Sequence, residues 1–131
     1  MRVQLALNVD DLEQAISFYE ALFGVEVHKR EPGYANFSIE SPPLKLVLFE
    51  NPEASERLNH LGVEVFDRAD LRGATERLAA MGLADSVEDA ETCCYATQDK
   101  VWATDPQGTR WEYYRLLEDA PEFGSGGDFI G

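Results

Sequence analysis

Two stretches of this chain repeat one another 56 residues apart, and that repeat limits what the chain can fold into. Gln4 falls on His60, Leu5 on Leu61, Leu7 on Val63, Asn8 on Glu64 and Val9 on Val65. In the first copy Val3, Leu5, Leu7 and Val9 alternate with Gln4, Ala6 and Asn8, the period-two pattern of a strand with one apolar face. Asp10 or Asp11 then caps a helix carrying Leu12, Ala15, Ile16, Tyr19, Leu22 and Phe23, which Gly24 ends. Strands are expected at Val25–Lys29, Tyr34–Glu40 and Leu44–Glu50, with Pro42 and Pro43 breaking the chain before the last.

The second copy follows the same order. A strand spans Asn59–Phe66, and a helix begins at Asp70 and ends at Gly82. Strands follow at Cys93–Ala96, Lys100–Ala103 and Thr109–Leu116, with a turn at Asp105–Gly108. The expected fold is α+β: two βαβββ modules, residues 1–51 and 57–116, forming an incomplete β-barrel within one domain. Residues 117–131, rich in Gly, Asp and Glu, are expected to form a flexible tail.

The chain is long enough to build a core without disulfides. It holds 11 basic and 25 acidic residues, a net charge of −14, which disfavours nucleic acids and anionic membrane surfaces. No stretch reads as a leader or membrane span, so a cytoplasmic location is expected. Its cysteines, Cys93 and Cys94, are adjacent and should be free thiols in a reducing cytosol.

Side chains two apart on a strand share a face, so Gln4 lies opposite the apolar stripe, His60 shares a face with Gly62 and Glu64, and Glu112 with Arg110 and Tyr114. If the first strand of each module is central, Gln4 meets His60 and Glu112 can join them. One imidazole, one carboxylate and one amide oxygen suit iron, manganese, nickel or zinc, with positions left for substrate, water or dioxygen. Val47, aligned with Glu112, offers no fourth ligand. Each residue also has an ordinary reading: a structural histidine, an unremarkable glutamine, a surface acid. His28, in a charged stretch, reads as surface.

Cys93 and Cys94 have two readings. Two thiols satisfy the two exchangeable positions of a trivalent arsenical carrying one organic group. Alternatively they are small buried packing residues. Neighbours on a regular strand face apart, so a joint clamp needs a bulge or turn, which a loop over Ser86–Thr92 would permit. Lys100 either stabilises oxyanion charge or a thiolate, or is a solvated strand residue. Arg110, Tyr114, Asn8 and Glu64 are candidates to support the ligands.

The segments VQLALNVDDLEQAISFYEALFG, PGYANFSIESPPLKLVLFE, LNHLGVEV, TCCYATQDKVW and DPQGTRWEYY resemble the cadmium-induced/ArsI-type branch of the vicinal-oxygen-chelate (glyoxalase/bleomycin-resistance) superfamily. The resemblance runs from residue 2 to about 116, and the stretch from Cys93 to Trp102 is its most specific part. It implies a carbon–arsenic lyase that uses Fe(II) and dioxygen to degrade trivalent organoarsenicals such as methylarsenite to arsenite. It also implies metal ligation by Gln4, His60 and Glu112 and arsenic binding by Cys93 and Cys94, with Tyr95 and Lys100 nearby. The superfamily makes a monomer or a homodimer the expected state. Two other functions fit the same residues. One is a glyoxalase- or dioxygenase-like metalloenzyme in which the thiols only pack. The other is a non-enzymatic binder of cadmium or arsenite.

Overall fold

A computed structural model describes the backbone of residues 1–93, 96–119, 121–122 and 125–126, and the side chains of residues 1–88 and 98–117. The fold is α+β, and the chain divides into two compact units, Arg2–Leu61 and Gly62 onward.

The first unit contains β1 (Arg2–Val9), α1 (Leu12–Phe23), β2 (Lys29–Glu31), β3 (Tyr34–Ile39), β4 (Leu44–Glu50) and the start of β5 (Leu58–Glu64). Its strands lie in the order β2-β3-β4-β1-β5. β1 runs parallel to β4, from Val3 beside Leu44 to Val9 beside Glu50, while β3 is antiparallel to both β2 and β4. Alternation sorts these strands into two faces. On one, Leu5, Leu7 and Val9 join Ala35, Phe37, Ile39, Leu46 and Leu48 in a core that α1 covers with Leu12 and Ile16. On the other, Gln4, Asn8, Asn36, Lys29 and Lys45 are all buried, an unusual concentration of polar groups.

Asp11 caps α1, accepting from the Gln14 N–H at 3.1 Å, and Gly24 ends it at φ 67° with its N–H on the Glu20 carbonyl. The expected strand at Val25–Lys29 shrinks to its last residue, because Glu20 takes two of the N–H groups before it. The Val25 N–H bonds the Glu20 carbonyl, and the Val27 N–H bonds Glu20 Oε2 at 2.9 Å.

The second unit holds the end of β5, α2 (Arg68–Ala80), β6 (Ser86–Cys93), β7 (Ala96–Thr104) and β8 (Arg110–Asp119), with strand order β5-β8-β7-β6. Along the chain β1-α1-β2-β3-β4 and β5-α2-β6-β7-β8 each follow the expected β-α-β-β-β order, although the division between the compact units falls within β5. α2 starts before Asp70 because Asp67 caps it, accepting from the Ala69 N–H at 2.8 Å. Its core is Val65, Leu71 and Val101, flanked by Val63, Leu78, Ala84 and Tyr113.

Ser86–Thr92 is a strand, not the expected loop. It pairs antiparallel with β7, placing Glu88 beside Lys100, and its register shifts between Glu88 and Glu91. The strand expected at Cys93–Ala96 is not one element: Cys93 ends β6 and Ala96 begins β7, which runs through the expected Lys100–Ala103 strand. Asp105 organises the expected turn, its Oδ1 accepting from the Gln107 and Thr109 N–H groups. Beyond β8, β9 (Pro121–Glu122) pairs antiparallel with β10 (Ser125–Gly126). Among the described residues no helix is long and apolar enough to cross a membrane.

Candidate metal centre

The repeat partners meet: Gln4 Nε2 lies 3.2 Å from His60 Nε2, between β1 and β5. Gln4 is buried because the alternation of β1 turns it away from α1, and His60 is half-buried. The other imidazole nitrogen, Nδ1, sits 2.8 Å from Asn59 Oδ1. Asn59 Nδ2 donates to Asn8 Oδ1 at 3.1 Å, and Asn8 Nδ2 donates to the Glu56 carbonyl at 3.0 Å. The Asn8 backbone N–H reaches the Arg57 carbonyl at 2.7 Å, which ties β1 to the entry of β5.

Across the sheet from Gln4, in register, is the buried Lys45. Val47 pairs with Ala6 on the same face and is aliphatic, as expected for a position that supplies no ligand. His28 is exposed, and its imidazole is held below the ordinary histidine range by partial burial and then by the charges of Lys45, Arg2 and Lys29. This sheet is therefore locally cationic within a chain of net charge −14.

In the second unit Glu112 is buried on β8 and pairs in register with Trp102. Lys100 Nζ stands 3.3 Å from Glu112 Oε1, with both side chains almost wholly shielded. At that separation the contact is an ion pair rather than a short charge-assisted hydrogen bond. The Trp102 ring carries the Arg110 guanidinium 4.1 Å from its centroid and the Lys100 ammonium at 5.7 Å. Arg110 thus sits over the indole, while Tyr114 is buried on the Glu112 face.

Imidazole nitrogen, amide oxygen and carboxylate are donors a divalent cation of intermediate hardness accepts. A buried amide and an imidazole held through its far nitrogen fit such an ion. Among the described residues no three His, Cys, Asp or Glu side chains cluster, and the expected set contains only two of those types. Cys93 ends β6 in register with Ala96, and its side chain is outside the described residues, as are Cys94 and Tyr95.

Sequence reasoning did not find Asn59 or the Lys100–Glu112 pair. The one available signal for Asn59 was an amide immediately before the histidine. The ion pair depends on the β7–β8 register, which alternation alone does not set.

The profile of the Glyoxalase/Bleomycin resistance protein/Dioxygenase superfamily matches residues 2–113. The cadmium-induced protein CadI of Mycobacterium tuberculosis is 59% identical over 125 residues, 95% of this chain and 82% of that protein. A trivalent organoarsenical cleaving enzyme of Thermomonospora curvata is 56% identical over 120 residues, 91% of this chain and 80% of that enzyme. In fold, the chain resembles the Mn(II)-bound glyoxalase of Novosphingobium aromaticivorans, with a TM-score of 0.66 and 17% identity over 97% of this chain and 41% of that one.

Proposed function

The chain belongs to the glyoxalase/bleomycin resistance protein/dioxygenase superfamily, and from that premise we propose that it is an Fe(II)- and dioxygen-dependent carbon–arsenic lyase releasing arsenite from trivalent organoarsenicals such as methylarsenite. The observation that carries this reading is the 56% identity to an organoarsenical cleaving enzyme, over nearly the whole chain. The meeting of Gln4 with His60 supports it, because it joins two of the three proposed ligands.

In this reading His60 Nε2, Glu112 and Gln4, its amide turned so that the carbonyl oxygen takes the place of the NH2 now facing the ring, would hold the metal. Bound Fe(II) supplies dioxygen chemistry at its open positions. The protein supplies placement. Cys93 and Cys94 clamp arsenic through two sulfurs, the two As–OH groups leaving as water with the thiol protons, which fixes the direction of the remaining As–C bond and gives the proximity that an untethered arsenical lacks. Tyr95 adjoins the clamp in sequence. Lys100 balances the buried Glu112 charge and keeps an ammonium at the site for oxyanion charge on the product.

The test is to load the protein with Fe(II) without oxygen, add methylarsenite, and then admit air. Arsenite should appear only after air enters, and only with iron present. Cys93→Ser/Cys94→Ser and Glu112→Ala should each lose turnover. Full arsenite release by the double cysteine variant would show that the thiols only pack and would defeat the lyase reading. Stoichiometric arsenical capture without arsenite release would make the chain a binder.

A further inference from the structure

We infer that Asn59 is a positioning residue: braced by Asn8 against the Glu56 carbonyl, it locks His60 as the Nδ1–H tautomer and so directs the Nε2 lone pair toward Gln4. The inference deepens the proposed function, since it concerns how that reading's histidine is prepared to ligate.

The hydrogen bonds fix one another's direction, starting from a group with no choice. A backbone carbonyl only accepts. The Asn8 amide 3.0 Å from the Glu56 carbonyl must therefore present its NH2 there, which turns Asn8 Oδ1 toward Asn59. Asn8 Oδ1 accepts, so the Asn59 group 3.1 Å away is its NH2. Asn59 then has its carbonyl oxygen toward the imidazole, 2.8 Å from His60 Nδ1. An amide oxygen cannot donate, so the proton of that contact is on Nδ1. A neutral ring then carries its lone pair on Nε2, the nitrogen 3.2 Å from the Gln4 amide. Free neutral histidine prefers its proton on Nε2, the opposite arrangement. The relay thus reverses the ring's default and holds its plane, as hydrogen-bonded partners of metal-ligating histidines do. All five residues lie in Arg2–Leu61: β1 carries Gln4 and Asn8, the start of β5 carries Asn59 and His60, and Glu56 just precedes β5.

Two readouts test it. The chain has only two histidines, His28 and His60, so long-range proton–nitrogen correlation on 15N-labelled metal-free protein, above the ordinary histidine range, resolves the His60 tautomer. Wild type should show the proton on Nδ1, and Asn59→Ala should move it to Nε2. Asn59→Asp keeps the acceptor and should restore Nδ1–H. In anaerobic Fe(II) titrations by chelator competition, Asn59→Ala should weaken affinity about 10- to 100-fold, and Asn8→Ala, which removes only the brace, should weaken it less. Asn59 is exposed, so its variants should fold, and circular dichroism checks that they and Asn8→Ala, at a buried position, do. An Nε2–H tautomer in wild type, or a tautomer indifferent to Asn59→Ala, overturns the relay. Equal Fe(II) affinity for wild type and His60→Ala overturns the metal reading instead, and with it the relay's link to binding, whatever the tautomer.

Discussion

The two units share an order of elements but divide stability and chemistry differently. The first packs Leu12 and Ile16 of α1 on five buried apolar strand residues, including Phe37, Leu46 and Leu48, and its other face carries neutral donors beside buried lysines. Among the described residues, the buried cluster under the charge-rich α2 is Val65, Leu71 and Val101, and the buried polar residues of that unit, Glu64, Gln98, Lys100 and Glu112, include an acid–ammonium pair. A repeated module can keep its frame while, among the described residues, one copy holds the larger buried apolar cluster and the other a buried ion pair, because the two faces of each sheet answer to different constraints. Burial governs the helix side, and hydrogen bonding or ion pairing governs the other.

The difference in cores is the first thing to break. Phe37→Ala should cost about 3–5 kcal/mol in urea unfolding, whereas Val101→Ala should cost nearer 2 kcal/mol. Equal losses would mean that the second core is as consequential as the first. The charge difference comes next. Lys100→Met leaves a buried carboxylate without its ammonium and should cost about 3 kcal/mol, while Lys100→Met with Glu112→Leu should recover most of that loss. A double variant no more stable than the single one would show that the pair is not the stabilising unit. Smaller still are the helix starts, which the units share: Asp11→Ala and Asp67→Ala should each lose about 1 kcal/mol by thermal or chemical denaturation, and a large disparity would mark one helix as the weaker.

The smallest effect concerns pH. Burial, with Lys45, Arg2 and Lys29 adding to it, holds His28 below its ordinary range in the folded chain. As pH falls, the unfolded chain takes up that proton first. The stability tied to the neutral ring is therefore complete above the unfolded-state pKa and is lost as pH drops toward the folded value. His28→Gln should flatten the stability curve in that window, and an unchanged curve would mean the cationic sheet does not act on this ring.

The elements that alternation and capping specify were legible in the sequence: β1, α1, β4, β5 and β8, the duplication itself, and through it the pairing of Gln4 with His60. What escaped depends on partners distant in the chain. Ser86–Thr92 looks like an acidic loop until β7 places Lys100 beside Glu88. Val25–Val27 looks like a strand until Glu20 captures its N–H groups. Asn59 gains meaning only when Asn8, 51 residues earlier, receives its amide.

The parallel pairing of β1 with β4 also sets the order in which the molecule can be assembled. Val3 and Leu44 stand 41 residues apart in sequence, and closing a loop of that size carries an entropic cost of about 3 kcal/mol plus a constant before the pairing returns anything. During synthesis β1 leaves the ribosome before its neighbours on both sides: β4, then β5, whose His60 follows Gln4 by 56 residues. A nascent chain halted before residue 44 has Gln4 but neither strand that flanks β1, so the earliest candidate ligand to be translated waits for partners made about 40 to 60 residues later.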